Sequence, residues 1–151
     1  MSIIKNKMIM KNLLATLKFD DLYSDGGILS LLLMIDHYDR NRTSFGFEYL
    51  SNNDIYQLTS FTTLYRAAEN IGFLSVLCKD ITVNNIMIHN QPIIINIASN
   101  SKKNHFVICN SYNDEKGFSI TDPINGCYKA TKKGLNDIWI DKKCILFIPK
   151  H

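Results

Sequence analysis

The sequence predicts an α+β fold, with helices in its first half and an antiparallel sheet in its second. Two patterns carry that reading. The run ILSLLLMIDHY, residues 28 to 38, is apolar nearly all round, as a helix buried on every side must be. After Gly72 the pattern changes to short β-rich runs separated by polar or glycine-bearing turns, namely FLSVLCK, PIIINIA, HFVICNSY, GFSITD and KCILFIP. With 151 residues and 46% apolar content, the chain is long enough for one core and too short for two.

Taken in order, residues 1–18 read as an N-terminal arm or helix, because Met10, Leu13, Leu14 and Leu17 recur at three-to-four spacing. Residues 19–151 read as a single domain. Ser24, Asp25, Gly26 and Gly27 form a capping and turn group that opens the central buried helix. A polar stretch from Arg40 to Gln57 follows, after which Thr59 or Ser60 can cap a second helix, LYRAAENIGF, stopped by Gly72. Helical interruptions are expected at Val83 to His89 and Lys132 to Ile138, and Asn125-Gly126 marks a tight turn. The central helix should pack against the sheet.

Several function classes are excluded at this level. The net charge of +3 comes from lysines scattered among acidic neighbours, and Lys102-Lys103 alone is too small a basic cluster for a nucleic-acid partner. Cys78, Cys109, Cys127 and Cys144 are far apart, with no CxxC pair or His/Cys cluster, so no metal or other cofactor is expected and no disulfide is assigned. Cys109 and Cys144 lie in apolar strand-like runs and read as reduced core residues of a cytoplasmic protein. Lys5, Lys7 and Lys11 break the N-terminal apolar residues, and the run from Ile28 to Ile35 is too short to span a bilayer, so no membrane insertion is expected.

The chemistry-bearing residues come in ordered blocks. Asp25 and Gly27 precede the buried helix with its His37-Tyr38 end; LTSFTTLYRAAENIGF follows; then PIIINIA, His105-Phe106-Val107-Ile108, Asp122-Pro123 with Gly126, and Trp139 ahead of CILFIP. From about Phe19 onward this series resembles the leader-peptidase domain of bacteriocin-exporting ABC transporters, the family-39 cysteine peptidases with a papain-like fold that cut after a double-glycine leader. That resemblance implies a nucleophile at the first turn of the central helix, where the helix dipole stabilises a thiolate. It implies His105 as base and acid, Asp122 as the carboxylate that orients its ring, and an upstream Gln that donates to the oxyanion.

Two positions depart from the family pattern. Where the family has its cysteine this chain has Gly26, which carries no side chain. Where the oxyanion Gln belongs stands Asp20, whose charge opposes a developing oxyanion. Loss of one oxyanion donor typically costs about a hundredfold to a thousandfold in rate, and a covalent mechanism without its nucleophile has no route. Plainer roles compete: Gly26-Gly27 as a helix-start turn, Asp122 as a turn aspartate bonding the backbone up to Gly126, Trp139 as core. Tyr23 is equally suited to a peptide groove and to a turn.

The resemblance therefore implies a catalytically inactive leader-peptidase-like domain that binds a precursor or leader peptide, with Tyr23 and His105 in contact with it. Its partner would be an ABC exporter, fused or on a separate chain, at the inner face of the membrane, as in the cysteine-less version of this domain in haemolysin-type exporters. The alternatives are an active peptidase using Ser24, Ser30 or Cys127 as substitute nucleophile, and a freestanding regulator that sequesters a precursor peptide.

Overall fold

The computed structural model describes residues 26–42, 46, 48, 60–99 and 104–148. The expectations for residues 1–18 and for Asp20, Tyr23, Ser24, Asp25 and Thr59 lie outside the described residues.

The central helix is α1 (Gly27–Tyr38), buried without interruption from Gly27 to Asp36, as its all-round apolar sequence requires. A short 3-10 turn, Arg40–Arg42, follows it. Helix α2 (Phe61–Ile71) is amphipathic and buries Phe61, Leu64, Ala67, Ala68 and Ile71, a stripe at helical spacing. Ser60 is its cap. The Ser60 hydroxyl accepts the Thr63 N–H at 3.1 Å while Thr63 Oγ1 accepts the Ser60 N–H at 2.8 Å, so two otherwise unmatched donors are satisfied reciprocally. Gly72 ends the helix at φ 104°, and Arg42 Nη1 donates to the Ile71 carbonyl at 2.9 Å.

The second half forms a six-stranded sheet in the order β1-β6-β2-β3-β4-β5, antiparallel at every pairing. Its strands are β1 (Leu74–Cys78), β2 (Ile93–Ile97), β3 (Phe106–Asn113), β4 (Gly117–Asp122), β5 (Gly126–Ala130) and β6 (Trp139–Ile148). Helices α3 (Val83–His89) and α4 (Lys132–Ile138) occupy the two expected interruptions. Strand β5 departs from the expected series: its GCYKA sequence is half to fully exposed at the sheet edge and shows no apolar alternation. Strand β6 begins earlier than the apolar CILFIP run, because Asp141, Lys142 and Lys143 extend it without being buried.

Alternation along the central strands divides the core in two. Ile94, Phe106, Ile108, Ile145 and Phe147 face α1 and α2. Ile93, Ile95, Val107, Cys109 and Cys144 face the other way, where Ile86 of α3, Leu135 of α4 and Trp139 close a second cluster. The sheet is thus covered on both faces. Trp139 is buried and donates its indole N–H to the Lys143 carbonyl at 3.0 Å, consistent with a core role.

Ser60→Ala should lower stability by about 1 kcal/mol through loss of the reciprocal cap. Urea unfolding would test this, and a change within a few tenths would mean that α2 does not depend on its cap.

Candidate functional site

His105 precedes β3 and Asp122 ends β4, two antiparallel neighbours, so their side chains meet at one end of the sheet. His105 Nε2 and Asp122 Oδ2 lie 2.6 Å apart, and both residues are buried, at 5% and 3% exposure. The other ring nitrogen, Nδ1, is buried and has no hydrogen-bond partner among the described residues. In the neutral tautomer that donates Nε2–H to the carboxylate, Nδ1 carries an acceptor lone pair.

The carboxylate is held from several sides. Asp122 Oδ1 accepts the backbone N–H of Ile124 at 2.9 Å and of Asn125 at 3.0 Å, while the Asn125 side-chain amide donates to Oδ2 at 3.2 Å. Burial by itself would raise the Asp122 pKa, but the hydrogen bond from His105 and those from the Asn125 and Ile124 amides outweigh it and hold the group below its usual value. Orienting the ring and closing the turn are therefore tasks of one carboxylate.

Gly26 caps α1 in the left-handed region, at φ 77° and ψ −2°. A Cβ at this position would stand 2.5 Å from the Phe106 carbonyl oxygen and 3.3 Å from Pro123 Cγ, the residues that follow His105 and Asp122 in the chain. The helix start and the paired side chains thus converge on one corner. Glycine is required here twice over, by the backbone angle and by the close approach. Ser30, one turn into α1, is fully buried and donates its hydroxyl to the same Phe106 carbonyl, at 3.4 Å. Cys127 is exposed on β5, where its thiol donates to Thr121 Oγ1 at 3.9 Å.

Asn96 is a further positioning residue, which the sequence reading passed over. It is the one polar side chain in a strand buried at all five positions, and its Oδ1 accepts the His105 backbone N–H at 2.9 Å. Its amide donates to Asn104 Oδ1 at 3.1 Å. A lone asparagine inside IIINI was the available signal, since a buried amide must find partners. Beside it opens a groove of about 390 Å³, floored by Phe61, Leu77 and Phe106 and edged by Asn96, Asn104, Lys79 and Lys143. Phe61 and Phe106 pack edge to face there, with ring centroids 5.2 Å apart.

Residues 20–151 match the model of the peptidase C39 family. Among solved structures, the chain is similar to the peptidase domain of Streptococcus ComA, a bifunctional ABC transporter of a quorum-sensing pathway. The identity is 20% over 83% of this chain and 92% of that one, with a TM-score of 0.66. It is also similar to a double-glycine-motif protease from an AMS/PCAT transporter, solved in complex with the leader peptide. There the identity is 18% over 82% of this chain and 84% of that one, with a TM-score of 0.61. A search of curated proteins gives no match.

Gly26→Ala should destabilise the fold by at least about 1–2 kcal/mol from the left-handed backbone alone, with further loss from the Phe106 contact. A urea midpoint that hardly moves would contradict that close approach. For Asp122 the folded pKa lies below the unfolded value of about 3.9. Its contribution to stability is complete above that value and drains away as the pH falls through the folded pKa. Asp122→Asn should therefore be less stable than the parent at neutral pH and lose less on acidification below pH about 4. Parallel pH–stability curves for the two proteins would sink this assignment.

Proposed function

The chain belongs to the peptidase C39 family, and from that membership we propose that it is a leader-peptidase-like domain without a nucleophile, which binds a precursor or leader peptide for an ABC exporter instead of cutting it. The observation that carries the reading is Gly26. It stands at the start of the central helix, beside the residues that follow His105 and Asp122, in a conformation and at a contact distance that leave no room for a side chain. A base and its orienting carboxylate are present, and the position that would supply a thiol is filled by backbone.

Substitute nucleophiles gain little support. The Ser30 hydroxyl is fully buried and committed to the Phe106 carbonyl, and a serine attacks only when a base can take its proton. Cys127 leans on Thr121. Peptide affinity survives the loss of a nucleophile, because a groove offers apolar contact and amide hydrogen bonds that do not take part in bond cleavage. The groove beside Asn96 supplies apolar contact through Phe61, Leu77 and Phe106 and polar contact through Ser60, Lys79 and Lys143. In this reading Tyr23 and the His105 corner complete the peptide site, Asp20 occupies the former oxyanion position, and the exporter, fused or separate, brings the domain to the inner face of the membrane.

Double-glycine leader peptides should stay intact on long incubation with the protein, followed by mass spectrometry. Cleavage that disappears in Ser30→Ala or Cys127→Ala would overturn the inactive reading. The same peptides should bind with Kd roughly micromolar, because ordering a flexible chain offsets much of the contact energy. Chemical-shift changes confined to the α3–α4 face of the sheet would place the peptide elsewhere and refute the groove.

A further inference from the structure

The second core face contains a pair of thiols that the peptide site does not use. Cys78 ends β1 and Cys144 lies on β6, and the two are direct partners in the antiparallel register, so their side chains project from the same face of the sheet. Directly opposed residues of antiparallel strands have Cα atoms about 4.5–5.5 Å apart, within the roughly 4.4–6.8 Å that a disulfide spans. Cys109 shares this core face and stands near enough to Cys144 to act on its thiol, but neither it nor Cys127 is a register partner of the pair. Ile95 of β2 is the next partner of Cys144, and Cys109 lies beyond that strand, while Cys127 is on β5 near the opposite edge of the sheet. Cys78 is half-buried and reachable from solvent, whereas Cys144 is 2% exposed.

We propose that Cys78 and Cys144 form a redox-responsive dithiol, oxidised by hydrogen peroxide to a cross-strand disulfide that pins the edge strand β1 to β6. The accessible Cys78 sulfur attacks the peroxide oxygen; the O–O bond breaks, Cys78 becomes a sulfenic acid, and its proton leaves with the departing oxygen as water. The Cys144 sulfur then attacks the Cys78 sulfur; the S–O bond breaks, and the hydroxyl departs as a second water with the Cys144 proton. Two thiols are oxidised and one peroxide is reduced. Burial first, and then the adjacent Cys78 thiol, push the Cys144 pKa up to about 12, which keeps Cys144 from reacting first; its later attack relies on its place directly opposite Cys78.

Among the described residues, strand β1 has one sheet neighbour, β6. A covalent tie at its last residue removes the freedom of that edge to peel away. Leu77 and Lys79 flank Cys78, and Lys143 flanks Cys144; these three residues line the groove on the opposite face. Oxidation on one face thereby stiffens a wall of the groove on the other. The dithiol is independent of the peptide-binding reading, since both of its readouts are made on the free protein.

The test treats the full chain with dilute hydrogen peroxide, maps the digest without reduction, and follows amide hydrogen exchange. A linked Cys78–Cys144 peptide that dithiothreitol removes is expected, together with at least about tenfold slower exchange across Leu74–Cys78. In Cys78→Ser, Cys144 should stay reduced under the same treatment. Oxidation of Cys127 with Cys78 and Cys144 left as thiols would overturn the proposal. So would a linkage that leaves exchange of β1 unchanged, or equal oxidation of Cys144 in Cys78→Ser.

Discussion

Backbone meets backbone where the first turn of α1 touches the start of β3. Gly26 lies against the Phe106 carbonyl, Ser30 donates to the same oxygen one turn later, and no side chain separates helix from strand. This contact sets the depth at which the apolar helix sits on Ile94, Phe106 and Ile108, and therefore how the first core closes. It also sets the corner where His105 and Asp122 meet, because Phe106 and Pro123 are their immediate neighbours. A side chain at Gly26 would push the helix off the strand and change the packing and the site together.

The sheet carries a load on each face. One face buries α1 and α2, the start of α2 lining the candidate groove, and the other is closed by α3, α4 and Trp139. Buried strands such as β2 must then be apolar at every position, and the one exception, Asn96, is tolerated because its amide bonds the His105 backbone and Asn104. A polar residue in such a strand is a positioning device by necessity. It holds the histidine backbone while Asp122 holds the ring.

Much of this was legible in the sequence, for identifiable reasons. The central helix showed through its continuous apolar run, α2 through Ser60 and Gly72, and the His105–Asp122 pair through the ordered motifs around it. Both helical interruptions lie where the sequence put them. Strand β5 was not legible, because Gly126 to Ala130 is an edge strand whose residues answer to solvent and not to a core. The left-handed angle of Gly26 was equally hidden. Two glycines before a helix suggest a turn, but the approach of a carbonyl 80 residues further along the chain cannot be seen in local pattern. Asn96 shows the same limit, since its partners, Asn104 and His105, both lie just before the neighbouring strand β3.

The four contacts on the Asp122 carboxylate give it a second duty. Two backbone amides and the Asn125 side chain use this carboxylate to close the β4–β5 turn, whether or not the histidine ever moves a proton. Folding alone thus gives the aspartate a task, and the aspartate in turn holds one nitrogen of the ring beside it. Such a pair can therefore be held in place by architecture, independently of any chemistry it performs. The presence of a histidine and an aspartate at such a corner is poor testimony to turnover, and the residue at the helix start is the better witness.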